Sequence, residues 1–119
     1  MRPVIAAVLD LCCVLVFVLI GRASHSEGET AAGLARTAWP FLAGLAIGWA
    51  ATRAWRRPAA LVRTGAGVWL LTVAGGMVFR VLSGQGTAFT FVVVALVFLG
   101  LTMYGWRVVA RLATRSADV

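Results

Sequence analysis

The sequence predicts an all-α fold, a polytopic transmembrane four-helix bundle, on three observations. Apolar residues make up 61% of the 119, with a mean hydropathy of +0.94, against about 45–50% in ordinary soluble domains. A chain this short cannot hide so much apolar side chain from water, because small folds leave a large share of their surface exposed. The apolar residues also fall into four blocks, at about 4–20, 37–52, 64–82 and 87–106, within a single transmembrane domain covering 1–119. Finally, all eleven cationic side chains are Arg, and most of them flank these blocks.

The first block is apolar except for Asp10, Cys12 and Cys13. At ~1.5 Å per residue it spans most of a ~30 Å hydrocarbon core. It exceeds a typical signal-peptide h-region, and Ile20-Gly21-Arg22-Ala23-Ser24 is a poor cleavage site, so an uncleaved first helix is expected. Neighbouring cysteines on a helix point ~100° apart, which argues against a disulfide between Cys12 and Cys13. Residues 21–36 are small and polar and read as the first loop, holding His25, Glu27 and Glu29. The second span opens with Trp39-Pro40, an aromatic at interfacial level and a proline suited to a first helical turn. Residues 53–63 form a second loop with four Arg in eleven positions. There Arg53, Arg56 and Arg57 are expected to meet anionic lipid headgroups. Ser83-Gly84-Gln85-Gly86 makes a tight turn into the fourth span, which leads to a tail carrying Arg107, Arg111 and Arg115.

The arginines set the expected topology. Eight (Arg2, Arg53, Arg56, Arg57, Arg63, Arg107, Arg111, Arg115) fall on one side of the four spans and three (Arg22, Arg36, Arg80) on the other. The positive-inside rule then places both termini in the cytoplasm, and a bias this strong argues against dual topology. With no recognition motif or solvated basic module, the net charge of +7 points to the membrane and not to nucleic acid. A parallel 2+2 helical-hairpin repeat is also visible. Thr37-Ala38-Trp39-Pro40-Phe41 is echoed by Thr87-Ala88-Phe89-Thr90-Phe91, and Gly48-Trp49 by Gly105-Trp106.

A carboxylic acid inside a span prompts a functional hypothesis. Residue counting puts Thr72 at the depth of Asp10, with Trp49 and Trp69 about a turn nearer the cytoplasm and no basic residue level with the acid. A salt bridge would then need Arg80 or Arg63 to reach along the bundle. Two readings stay open: Asp10 fixes helix packing through hydrogen bonds, or Asp10 with Thr72 forms a proton or ion site. Arg80, one turn from the outer end of its span, either snorkels to the interface or joins Arg22, His25, Glu27 and Glu29 in an outer-face charged cluster. Such a cluster suits an anion, or a pH response through His25. The spacing of His25, Glu27 and Glu29 is not a recognised ligand pattern, so no metal is expected. Small residues let helices approach closely in lipid; Gly44-x-x-x-Gly48 and Gly75-Gly76 are therefore helix-packing positions, within one chain or at a homo-oligomer seam. With one His, no paired carboxylates and no phosphate-cradling loop, neither enzymatic activity nor a cofactor is expected.

Asp10…Phe17-Val18-Leu19-Ile20-Gly21-Arg22-x-x-His25, Thr37-Ala38-Trp39-Pro40-Phe41-Leu42-x-Gly44 with Gly48-Trp49, Gly75-Gly76-Met77-x-x-Arg80 and Gly86-Thr87-Ala88-x-x-Phe91 together resemble a family of small bacterial four-helix integral membrane proteins of unknown function. The resemblance covers nearly the whole chain and implies four spans in a bacterial cytoplasmic membrane. It implies no substrate. Two classes of function follow from the residues. The first is a subunit of an oligomeric proton- or ion-linked transporter or channel using Asp10. The alternative is a non-catalytic assembly or accessory subunit of a larger membrane complex.

Overall fold

The computed structural model describes residues 2–24 and 30–117, and all regular structure among them is helical. Helix α1 runs Pro3–Ser24, α2 Ala31–Thr52, α3 Gly67–Leu82 and α4 Phe89–Ala117, with a π-helical stretch, Leu61–Ala66, leading directly into α3. Consecutive helices are antiparallel, and α4 also packs on α1, which closes the up-down-up-down ring of a four-helix bundle.

Three helical runs, Pro3–Arg22, Leu61–Leu82 and Phe89–Thr114, are long and apolar enough to cross a membrane, which points to a membrane protein. Helix α2 matches α1 in length, but Arg36, Pro40, two Trp, two Thr and three Gly among its 22 residues lower its hydropathy. The outward faces are apolar: Val4, Leu82, Leu101 and Val109 are all exposed. The interior, in contrast, holds Asp10, Thr72 and Arg107 beside Phe41, Leu99 and Met103. This is the arrangement expected where lipid, and not water, surrounds the helices.

The helices extend further than the apolar blocks. Residues 21–24 belong to α1 and 31–36 to α2, so both ends of the expected first loop are helical. The third helical run starts at Leu61 instead of 64, and the expected tail after Trp106 continues as helix. Intrahelical hydrogen bonds satisfy backbone groups wherever the chain leaves the apolar core, so polarity alone does not end a helix.

Pro40 is not in a first turn. It lies in the interior of α2, buried, where its missing N–H deprives the Arg36 carbonyl of its helical partner. The Gln85 side chain replaces that partner, its Nε2 donating to Arg36 O at 3.0 Å. Gln85 is placed by the turn that ends α3. Gly84 adopts φ +78°, Gly84 N–H donates to Val81 O (3.1 Å), and Gln85 N–H donates to Arg80 O (2.7 Å). That pair of bonds is a Schellman cap with glycine in the left-handed position. The end of α2 has the same cap built on Arg53 (φ 52°), with Ala54 N–H donating to Trp49 O at 3.0 Å.

Contact between α2 and α3 is the most extensive in the bundle, and glycines make it possible. A Cβ on Gly44 would lie 2.7 Å from Thr72 O, one on Gly75 2.8 Å from Gly44 Cα, and one on Gly48 3.1 Å from Val68 Cα. Gly76 faces the Phe41 ring, which a Cβ would meet at 2.5 Å. All four helix-packing glycines read from the sequence thus sit against atoms of this same chain.

Candidate functional site

Helix α1 presents Ala6, Asp10, Val14 and Val18 at four-residue spacing, all buried, so the acid points into the bundle with its apolar neighbours. Helix α4 presents Ala95, Leu99, Met103 and Arg107 in the same way, each of them fully buried. The two ladders face each other, and their polar members meet. Arg107 Nη1 donates to Asp10 Oδ1 at 2.9 Å and Nη2 donates to Oδ2 at 2.7 Å, the side-by-side geometry that suits a guanidinium and a carboxylate best.

Two indoles complete the acid's shell. Trp49 Nε1 on α2 donates to Oδ2 at 2.8 Å, and Trp106 Nε1 on α4 donates to Oδ1 at 2.9 Å. Each carboxylate oxygen therefore accepts two hydrogen bonds, filling the ~four acceptor positions a carboxylate has. Arg107 is equally engaged. Its Nε donates to Pro58 O at 2.9 Å in the α2–α3 connection, Nη1 also reaches Met103 O at 3.2 Å, and its guanidinium carbon lies 4.3 Å from the Trp106 ring centroid. The connection is held in turn by Thr64 Oγ1, which donates to Arg57 O at 2.6 Å. At Gly65 in the π-helical stretch a Cβ would come within 3.4 Å of Arg107 Cδ, so a small residue there admits the arginine stem. The clasp joins α1, α2, α4 and the α2–α3 connection at one point.

The expectation that no basic residue lies level with Asp10 is therefore wrong, and neither Arg80 nor Arg63 is its partner. Charge alone assigns Arg107 to a tail; continuing the buried ladder of α4 by one more step of four finds it. Thr72 is buried at the α2–α3 contact, where its hydroxyl donates to Val68 O at 2.6 Å, and it is not among the partners of Asp10. Trp69 also serves packing, donating to Leu96 O at 2.9 Å and lying against Gly100.

Above the clasp, Phe17, Phe41 and Phe91 form an aromatic layer with ring centroids 5.3–6.0 Å apart. Beyond it, at the far end of the bundle, a cavity of about 590 Å³ is lined by Arg22, Arg36 and Arg80 among others. The structure thus brings Arg22 and Arg80 to one cavity and adds Arg36, which nothing in the sequence pattern singles out. His25, Glu27 and Glu29 lie outside the described residues.

No curated protein and no solved structure matches the chain. A family model does, over residues 7–110, a span that includes both Asp10 and Arg107 as well as the cavity-lining arginines. The chain belongs to that family, the proteins of unknown function designated DUF3054.

Proposed function

We propose that this protein is a non-catalytic, four-span accessory or assembly subunit of a larger membrane complex, with Asp10 as its structural keystone. One observation carries the reading: every acceptor position of Asp10 is occupied, and the residue is completely buried against a fixed cation. A coupling carboxylate must exchange protons or ions with a water-accessible path. A carboxylate held by four donors is suited instead to registering helices. All four helices cross a bacterial cytoplasmic membrane in this reading, with both termini inside. Moving Arg107 from the inner loops to the core leaves seven Arg against three, so the positive-inside bias persists. In this reading Arg53, Arg56 and Arg57 meet anionic headgroups; their exposure, and that of Trp55 beside them, supports it. The 2+2 repeat gains support from its two Gly-Trp positions, since Trp49 and Trp106 each supply one indole to the same carboxylate.

Ion-linked transport by a homo-oligomer is the second reading, and the arginine-lined cavity is the observation that favours it. Extraction of the native protein in mild detergent, paired with proton-flux assays in proteoliposomes, separates the two. The accessory reading expects a stoichiometric unrelated partner and no flux. A proton flux abolished by Asp10→Asn in a protein that remains folded overturns it.

A further inference from the structure

Helix α2 has two unlike flanks. Glycines draw one of them onto α3, and that contact is the most extensive in the bundle. On the other flank α1 touches α2 far less, and the Trp49 indole bridges the two, its Nε1 donating to Asp10 Oδ2 at 2.8 Å. Beside the indole lies an apolar groove of about 320 Å³, lined by Ala7 and Leu11 of α1 and by Leu42, Leu45, Ala46 and Trp49 of α2. Leu11 and Ala46 are exposed, so the groove opens outward. In a bilayer it opens on acyl chains.

The Trp49–Asp10 hydrogen bond sets the two antiparallel helices level. From Trp49 back to Leu42 the groove follows about 10 Å of helix, a third of the ~30 Å hydrocarbon core. In the opposite direction both helices lead to an arginine. Arg53 lies one turn beyond Trp49, and Arg2 lies about 12 Å beyond Asp10. Arg2 is in register with α1, its carbonyl accepting from Ala6 N–H at 3.2 Å. Both arginines are exposed. Asp10 is the only side-chain carboxylate among the described residues, and Arg107 and two indoles fill it. No described acid therefore offsets Arg2 or Arg53.

We propose that this groove holds one acyl chain of an anionic phospholipid whose phosphate sits against Arg2 and Arg53. The inference rests on the reading above that these helices cross a bilayer. Aliphatic side chains and an indole face offer dispersion contact along the groove, and the one donor in its lining, Trp49 Nε1, is already committed to Asp10. That chemistry suits hydrocarbon and no polar ligand. A transmembrane helix is ~10–12 Å across with its side chains, too stout for a slot of this volume and length, whereas a single hydrocarbon chain fits. The arginines at the mouth then select the headgroup, since a cation at the membrane surface favours anionic lipid about fivefold.

The test uses the full chain in nanodiscs of phosphatidylcholine with a minority of phosphatidylglycerol of the same chain length. Native mass spectrometry after gentle release counts the lipids each chain retains. One phosphatidylglycerol per chain is expected, preferred over phosphatidylcholine by about tenfold or more, as two arginines imply. Ala46→Phe fills the groove from an exposed position away from the clasp and should abolish retention. Arg2→Gln and Arg53→Gln should each weaken the preference about fivefold. Leu101→Phe, on the exposed face of α4, should change nothing. Equal retention of the two lipids by the wild type, or equal retention by Ala46→Phe and Leu101→Phe, overturns the proposal while leaving the bilayer reading intact. So does photo-crosslinking from position 46 in native membranes to a protein in place of lipid. A chain that fails to enter nanodiscs at all overturns the bilayer reading, and this proposal with it.

Discussion

Arg107 holds both carboxylate oxygens of Asp10 at 2.7 and 2.9 Å, although the two residues lie 97 positions apart in the chain. The pair therefore joins the first helix to the last, and the antiparallel ring of helices closes around it. Buried ion pairs often contribute little net stability compared with well-packed apolar residues, but removing one partner leaves an uncompensated charge. That asymmetry governs what mutation of the clasp does.

The two indoles are equivalent donors, one to each carboxylate oxygen. Trp49→Phe and Trp106→Phe keep an aromatic ring and delete one hydrogen bond apiece. Each should destabilise by about 1–3 kcal/mol, the range for leaving a buried polar group short of a partner. Thermal unfolding in detergent measures both. A large cost at one position and none at the other would show that the pair is not equivalent.

Gln85 substitutes for the hydrogen bond that Pro40 removes from α2. Gln85→Ala should cost about 0.5–1.5 kcal/mol. In a Pro40→Ala background residue 40 regains its N–H and can bond Arg36 O itself, so the same substitution should then cost much less. A double-mutant cycle measures the difference, and an unchanged cost would contradict the role assigned to Gln85.

The glycines divide sharply by surroundings. Gly44→Val drives a side chain into Thr72 O and Leu71 O and should destabilise by more than the ~1–3 kcal/mol typical of overpacking. Gly21 and Gly105 lie inside helices, and a Cβ added at either would meet nothing within 4 Å. Ala at either should be neutral or stabilising, by up to about 1 kcal/mol. Melting temperatures of the three variants check the contrast.

Arg53 occupies a left-handed backbone position with a side chain that disfavours it. Arg53→Gly keeps the cap hydrogen bonds and relieves a strain of about 1–2 kcal/mol, offset in part by the added freedom of glycine in the unfolded chain. A modest rise in melting temperature is expected, whereas Arg53→Val should lower it.

Much of this architecture is legible in the sequence. The apolar blocks locate four helices, and the spacing of Ala6, Asp10, Val14 and Val18 turns the acid inward. What the sequence hides has a common physical origin. Depth along a helix says nothing about the face a residue presents, so Thr72 matches Asp10 by counting while its hydroxyl bonds within its own helix. Polarity is a poor guide to where a helix ends: it assigns Arg107 to a tail and Arg36 to a loop, although both belong to helices. A charged residue can remain inside when its counter-charge is there too, and only the pairing of two distant positions reveals that. Pro40 misleads for a related reason: the carbonyl it orphans is satisfied from another helix's turn, through a contact that no local pattern encodes.

The most direct test of the clasp is a double-mutant cycle on Asp10→Asn and Arg107→Gln, read by thermal and denaturant unfolding in one detergent. Each single substitution should cost about 3–5 kcal/mol, the range for breaking a buried pair. The double variant should cost no more than either single, because neither charge is then left alone. If Asp10→Asn leaves stability unchanged, or if the two costs simply add, Asp10 and Arg107 act independently and the clasp is not what holds this bundle together.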